Sequence, residues 1–342
     1  MRIHFKIKKY KLIKIRNIIL FLIFLIMLFL VAETILKIHF YNTTPWKTYR
    51  NIPKMFEYDQ ELGFRMISNF KGIKTDPDGI KTEISINQFG LRGLDFSREK
   101  KKEYRILVLG DSFTFGDGVN DDETFPFLLQ EKFNKAKTDA LVINSGVMGY
   151  SSYQEYMYLK NKGIEFEPEL VVLSFYEGND FHDNTIISSH FAFDGKIFNR
   201  GYYGEFNYKH KFNSFLLFYL ENYVLKIYKK EIGNSDILSR TIFILQQIIK
   251  LTKSNNIKLM FLYLPSHDRS YWEDEELDYK KNKVIELLKK ENILYIDFID
   301  EFEMYEQTKN KDPYDELFHI HLNKDGNKFI AENIYERITS RI

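Results

Sequence analysis

The stretch Arg105-Ile106-Leu107-Val108-Leu109-Gly110-Asp111-Ser112-Phe113-Thr114-Phe115-Gly116 passes from an apolar run into a Gly/Asp/Ser turn. A short apolar run that ends on turn residues reads as a strand buried on both faces. The same reading applies to 141–144, 170–175, 258–264 and 293–297. Helical signals lie between these runs. A helix is predicted from about Thr124, with Pro126 in its first turn and Phe125, Leu128, Leu129 and Phe133 as its apolar stripe. Ser151-x-x-Gln154 has the form of a capping box and opens a second helix. Further helices are predicted over about 236–255, 275–291 and 324–341. Apolar strands alternating with helices predict an α/β fold, a three-layer α/β/α sandwich on a five-stranded parallel sheet. Ligands of such sheets sit at the carboxyl ends of the strands, so the loops at 110–123, 144–150, 176–184 and 298–322 should surround one site.

The chain of 342 residues is 44% hydrophobic, with 31 Phe and 23 Tyr, which is ample material for a core. Lys and Arg number 49 against 48 Asp and Glu, but the first sixteen residues hold seven of the bases and no acid. Setting that tail aside leaves 42 bases against 48 acids, which argues against a nucleic-acid-binding face. With no cysteine, thiolate nucleophiles, disulfides and Cys-ligated clusters are excluded.

Ile18 to Ala32 is uninterrupted apolar sequence, and the apolar character continues to Ile38. About 20 helical residues cross a ~30 Å hydrocarbon core, so residues 17–38 read as a transmembrane anchor. A cleaved signal peptide is the competing reading; it is disfavoured because Ala32 is the sole small residue near the end and Leu30 stands two before it. The basic residues 1–16 should stay in the cytoplasm, sending the rest to the extracytoplasmic side of the cell membrane. Residues 39–103 read as a stalk and a short β-rich lead-in, and 104–342 as the main domain. Within it, 181–233 is an aromatic-rich insertion carrying Phe191, Phe193, Tyr202, Tyr203, Phe206 and Tyr208. These aromatics either pack the insertion onto the sheet or form a lid or sugar-stacking wall.

A serine at a strand-to-helix turn, as Ser112 is, suits a nucleophile whose own N–H helps to hold an oxyanion. Asn144-Ser145-Gly146 offers a close backbone approach and the Gly146 N–H as a second donor. Gly178-Asn179-Asp180 offers the Asn179 side-chain amide as a third. Each alone is also an ordinary turn. Phe318-His319-Ile320-His321-Leu322-Asn323-x-x-Gly326 supplies imidazoles just before the last helix, and serine acyl transfer needs such a base. No carboxylate cluster accompanies the His-x-His pair, so no metal is expected. The glycine spacing fits neither a phosphate loop nor a dinucleotide fingerprint, and no cofactor is expected.

In this order, at successive strand ends, the four pieces resemble the blocks of the SGNH hydrolase family, also called GDSL-like esterases. The resemblance covers about residues 87–341. Gly110-Asp111-Ser112 is similar to the nucleophile block, Gly146 to the glycine block, Gly178-Asn179-Asp180 to the asparagine block and His321-Leu322-Asn323-x-x-Gly326 to the histidine block. Asn87-x-x-Gly90-Leu91-Arg92-Gly93 resembles the lead-in of membrane-tethered members found with envelope-polysaccharide genes. The resemblance implies a flavodoxin-like fold and serine-dependent ester hydrolysis or acyl transfer, with Ser112, His321, Gly146 and Asn179 as the working residues. Family members generally carry an aspartate two or three residues before the base, where this chain has His319 and Phe318. Asp315 and Glu316 are the nearest acids; Glu316 is three residues before His319, which leaves His319 as the alternative base. The expected function is that of a membrane-anchored esterase cleaving an acyl ester, with acetyl favoured, on a glycan or lipid. An O-acyltransferase on an envelope polysaccharide and a non-catalytic carbohydrate-binding or assembly protein are the alternatives.

Overall fold

All five apolar runs form strands of one parallel sheet. The computed structural model describes residues 2–42, 55–59, 61–75, 79–184, 190–193, 196–199, 216, 234–270 and 275–340. The chain opens with helix α1, Arg2–Asn42. Within it Lys14–Leu36, 23 residues of high hydropathy and none buried, is the one helix among the described residues long and apolar enough to cross a membrane. Two antiparallel hairpins follow, β1 (Phe56–Asp59) with β2 (Gly63–Met66), and β3 (Lys71–Thr75) with β4 (Lys81–Ser85).

The sheet then builds in order. β5 (Tyr104–Leu109) leads through α2 (Ser112–Phe115) and α3 (Phe125–Lys135) to β6 (Ala140–Asn144). α4 (Ser152–Asn161) leads to β7 (Leu170–Tyr176), the short α5 (Asp180–Asp183) and the hairpin β8 (His190–Phe193) and β9 (Lys196–Asn199). Next come α6 (Asn234–Ser254), β10 (Lys258–Leu264), α7 (Glu275–Lys290), β11 (Leu294–Asp297), α8 (Phe298–Lys309), α9 (Pro313–Leu317) and α10 (Lys324–Thr339). Across the sheet the strands lie in the order β6-β5-β7-β10-β11. Counted by appearance this is 2-1-3-4-5, the flavodoxin-like winding, and its switch point lies between β5 and β7.

Strand alternation divides the core into two. Leu107, Leu109, Val171, Leu173, Phe175, Phe261 and Tyr263 line one face, and Ile106, Val108, Val172, Met260, Leu262 and Ile296 line the other. The predicted caps are in place: Thr124 accepts from the Phe127 N–H, and Ser151 with Gln154 forms the capping box.

Two features differ from the sequence expectations. The 298–322 segment is mostly helical, because Asp297 ends β11 and at once caps α8 by accepting from the Ile299 N–H. From Met55 onward, the segment read as stalk and lead-in belongs to the same core: Met55, Leu62, Phe64 and Met66 are buried in it. Tyr150 donates to the Phe64 carbonyl at 2.8 Å, and Gln154 to that of Leu62 at 2.7 Å. Of the aromatic insertion, the described residues include Phe191 and Phe193, in β8, while Tyr202, Tyr203, Phe206 and Tyr208 lie outside them.

Candidate active site

Ser112 stands at the carboxyl end of β5, at the switch point, as the first residue of α2 and half-buried. Asp111 caps the turn, its carboxylate accepting from the Phe113 N–H at 2.8 Å. The N–H groups of Gly116 and Asp117 both donate to the Ser112 carbonyl at 3.0 Å, so the chain curls back toward the serine. Arg92, from the turn after β4, holds that curl. Its guanidinium donates to the carbonyls of Phe115 (3.0 Å), Gly116 (2.6 Å) and Val119 (2.7 Å) and lies 4.6 Å from the centre of the Phe115 ring. Asn87 shapes the turn that delivers Arg92, its side-chain oxygen accepting from the N–H groups of Phe89 and Leu91. The Asn87-to-Gly93 motif thus has a mechanical purpose.

The histidine loop is a tight hairpin. Phe318 bridges Leu322, and the His319 N–H donates to the His321 carbonyl at 2.8 Å. Asn323 caps α10 by accepting from the Gly326 N–H, and donates to the Glu316 carbonyl at 2.8 Å. A Cβ on Gly326 would lie 2.2 Å from the Leu317 carbonyl oxygen, so only glycine lets α10 seat under the loop. The result places His321 Nε2 at 2.9 Å from Ser112 Oγ. Phe113, stacked on Tyr176 at 3.9 Å, backs the imidazole at 4.9 Å.

His319, Asp315 and Glu316 are not brought to this pair. All three are exposed, the two acids on α9, and the Glu316 carboxylate pairs with Lys311 at 2.7 Å. Of the two imidazoles of this loop, it is that of His321 that the structure sets against the serine. The carboxylate that the structure places behind the ring is Asp117, with Oδ2 at 3.9 Å from His321 Nδ1. Asp117 is buried, and its other oxygen pairs with the buried Lys74 Nζ of β3. Sequence reading missed both residues. A Gly-Asp-Gly turn shortly after Ser112 was the sole signal, and nothing local linked Lys74 to it.

Gly146 is buried with its backbone against α2; a Cβ there would lie 2.3 Å from the Phe115 nitrogen. Its N–H donates to Asn144 Oδ1 at 3.0 Å, so serving an oxyanion requires sharing or surrendering that bond. Asn179 Nδ2 donates to Asp111 Oδ2 at 3.0 Å, which aims the amide nitrogen at the Ser112 turn and leaves its second hydrogen to donate.

Below this turn Asp180 and Glu155 are fully buried. Asp180 accepts from the Tyr176 N–H at 2.7 Å, while its other oxygen and both oxygens of Glu155 lack a hydrogen-bond partner among the described residues. Burial first, and the neighbouring carboxylates second, raise both groups well above the usual carboxylate range. Burial likewise pushes Asp111 up to about 6.

A 2-1-3-4-5 sheet with a serine at its switch point and a histidine of the last loop against that serine defines an SGNH-type α/β/α hydrolase fold. The profile of the GDSL-like lipase/acylhydrolase family matches residues 108–329, and the chain belongs to that family of ester-bond hydrolases. No curated protein matches the chain. Among solved structures it is similar to the acetyl xylan esterase AlAXEase, at 18% identity and a TM-score of 0.45, over 70% of this chain and 100% of that one. It is similar also to the psychrotrophic esterase EstA from Pseudoalteromonas sp., at 16% and 0.44, over 70% and 98%. A third is the lipase/acylhydrolase from Enterococcus faecalis, at 15% and 0.43, over 70% and 96%.

Proposed function

We propose that the protein is a membrane-anchored serine esterase that removes an acyl group, acetyl in the first instance, from a glycan or lipid on the extracytoplasmic side. The observation that carries this reading is the 2.9 Å contact between Ser112 Oγ and His321 Nε2. His321 takes the serine proton as Ser112 attacks the ester carbonyl. The N–H groups of Ser112 and Gly146 and the Asn179 amide receive the oxyanion, each donor contributing about 3 kcal/mol in the transition state. Collapse expels the alcohol, which takes its proton from His321, and water then releases the acid from the acyl-enzyme by the same route. A small ester meets the geometry directly, since the serine is half-buried. The glycan or lipid assignment is supported by the N-terminal helix, which would hold the site near a membrane surface, and by the resemblance of the Asn87-to-Gly93 lead-in to that of envelope-associated members.

The test is turnover of p-nitrophenyl acetate by the full chain in detergent. Ser112→Ala and His321→Ala should abolish it and His319→Ala should leave it intact. Activity that survives Ser112→Ala would remove the reading. Release of acetate from acetylated envelope glycan, rather than acetylation of an added glycan acceptor, is the outcome expected of a hydrolase.

A further inference from the structure

We propose that Asp117 is the positioning carboxylate of His321, held in place by Lys74 from the hairpin ahead of the domain. The inference rests on the serine-esterase reading above. For His321 Nε2 to accept the serine proton it must be bare, so the ring proton sits on Nδ1 and needs an acceptor behind it. Asp117 Oδ2 stands there, 3.9 Å away, with the Asp117 side chain only 8% exposed. The gap is longer than a hydrogen bond, as catalytic contacts without substrate often are, and the positive charge that the ring acquires during attack would draw the two together. The carboxylate stabilises the imidazolium and keeps its own charge; no proton moves to it.

Three arrangements favour Asp117 over the acids nearer in sequence to His321. Its turn is wound onto the nucleophile itself, through the two N–H bonds to the Ser112 carbonyl. Arg92 grips the same turn on either side of it. Lys74, 7% exposed, engages Oδ1 and leaves Oδ2 toward the ring. A buried Lys–Asp pair is no better for stability than well-packed apolar residues, so its presence beside a reacting imidazole points to placing charge rather than to folding. Lys74 and Arg92 both precede the residues that the family profile matches, so the β3–β4 hairpin is part of the active site and not an appendage to it.

The test uses the full chain in detergent, with p-nitrophenyl acetate turnover and the rate of Ser112 labelling by a fluorophosphonate. Asp117→Asn should lower kcat at least about 100-fold, with KM near wild type and labelling slowed in parallel. Asp117→Glu should recover at least about tenfold of that loss, while Asp315→Asn and Glu316→Gln stay within about twofold of wild type. The Asp117→Asn change alone strands the buried lysine, so Lys74→Met is combined with it to remove both charges. The double variant should fold and remain at least about 100-fold below Lys74→Met alone. If Asp117→Asn turns over within about threefold of wild type while Ser112→Ala and His321→Ala are dead, the assignment of Asp117 falls and the serine reading stands. If turnover persists in Ser112→Ala, both fall.

Discussion

Arg92→Met is the substitution whose consequence the structure specifies most fully. The guanidinium donates to the carbonyls of Phe115, Gly116, Val119 and Glu83 and to Asp121 Oδ1, with its side chain 1% exposed. Methionine keeps an apolar stem but has no donor, and it loses the guanidinium's place over the Phe115 ring. Stranding a buried acceptor costs about 1–3 kcal/mol, so the three carbonyls of the 115–119 turn amount to about 3–9 kcal/mol together. Part of this is returned, because burial already penalises the charged guanidinium and depresses its pKa. A net loss in the lower part of that range, about 3–4 kcal/mol, follows, or a fall in Tm of about 6–16 °C for a domain of this size. Arg92→Lys should lose nearly as much, since an ammonium is a point donor and does not span three carbonyls. Thermal unfolding of the full chain in detergent, followed by tryptophan fluorescence and circular dichroism, measures the loss. Turnover should fall further than stability explains at temperatures where the variant is folded, because the same turn carries Ser112 and Asp117. A Tm within about 1 °C of wild type would refute the reasoning, since it would mean that the turn holds its shape without the clamp.

Three further outcomes follow from the same geometry. Gly146→Ala sets a methyl 2.3 Å from the Phe115 nitrogen, and should lower stability by about 1–3 kcal/mol and turnover more than tenfold, as unfolding and p-nitrophenyl acetate assays would register. Glu155 is held well above the usual carboxylate range by burial, so its contribution to stability is full below the unfolded value of about 4.3 and is lost as pH rises toward its folded value. Glu155→Gln should therefore raise Tm relative to wild type by an amount that grows between about pH 5 and pH 8; a difference that stays constant over that range would contradict the assignment. Deleting residues 2–38 should move the protein from the carbonate-washed membrane pellet to the soluble fraction, and protease added outside intact cells should reach the domain of the undeleted chain.

Much of the fold was legible because its determinants are local. A strand buried on both faces must be an apolar run, which is why 105–109, 170–175 and 258–264 stood out, and a helix start needs a nearby side chain to satisfy its first N–H groups, which marked Thr124 and Ser151. The α8 helix was hidden for a related reason: its cap, Asp297, is also the last residue of β11, so no turn signal separated the two. In the site, the sequence order of Ser112, Gly146, Asn179 and His321 along successive strand ends was readable, as was the Leu-Asn-x-x-Gly run that builds the histidine loop. Which carboxylate stands behind the imidazole was not. Ser112 meets His321 across 209 positions and Lys74 meets Asp117 across 43, and neither separation has a period or a turn rule. The sequence by itself determined the strands, the caps and the apolar N-terminal helix and singled out the turn serine Ser112, all matters of neighbouring residues and their hydrogen bonds. Only the tertiary structure decided that Asp117, Lys74 and Arg92 gather about the turn of that serine, because parallel winding, and not chain proximity, brings distant loops to one edge of a sheet.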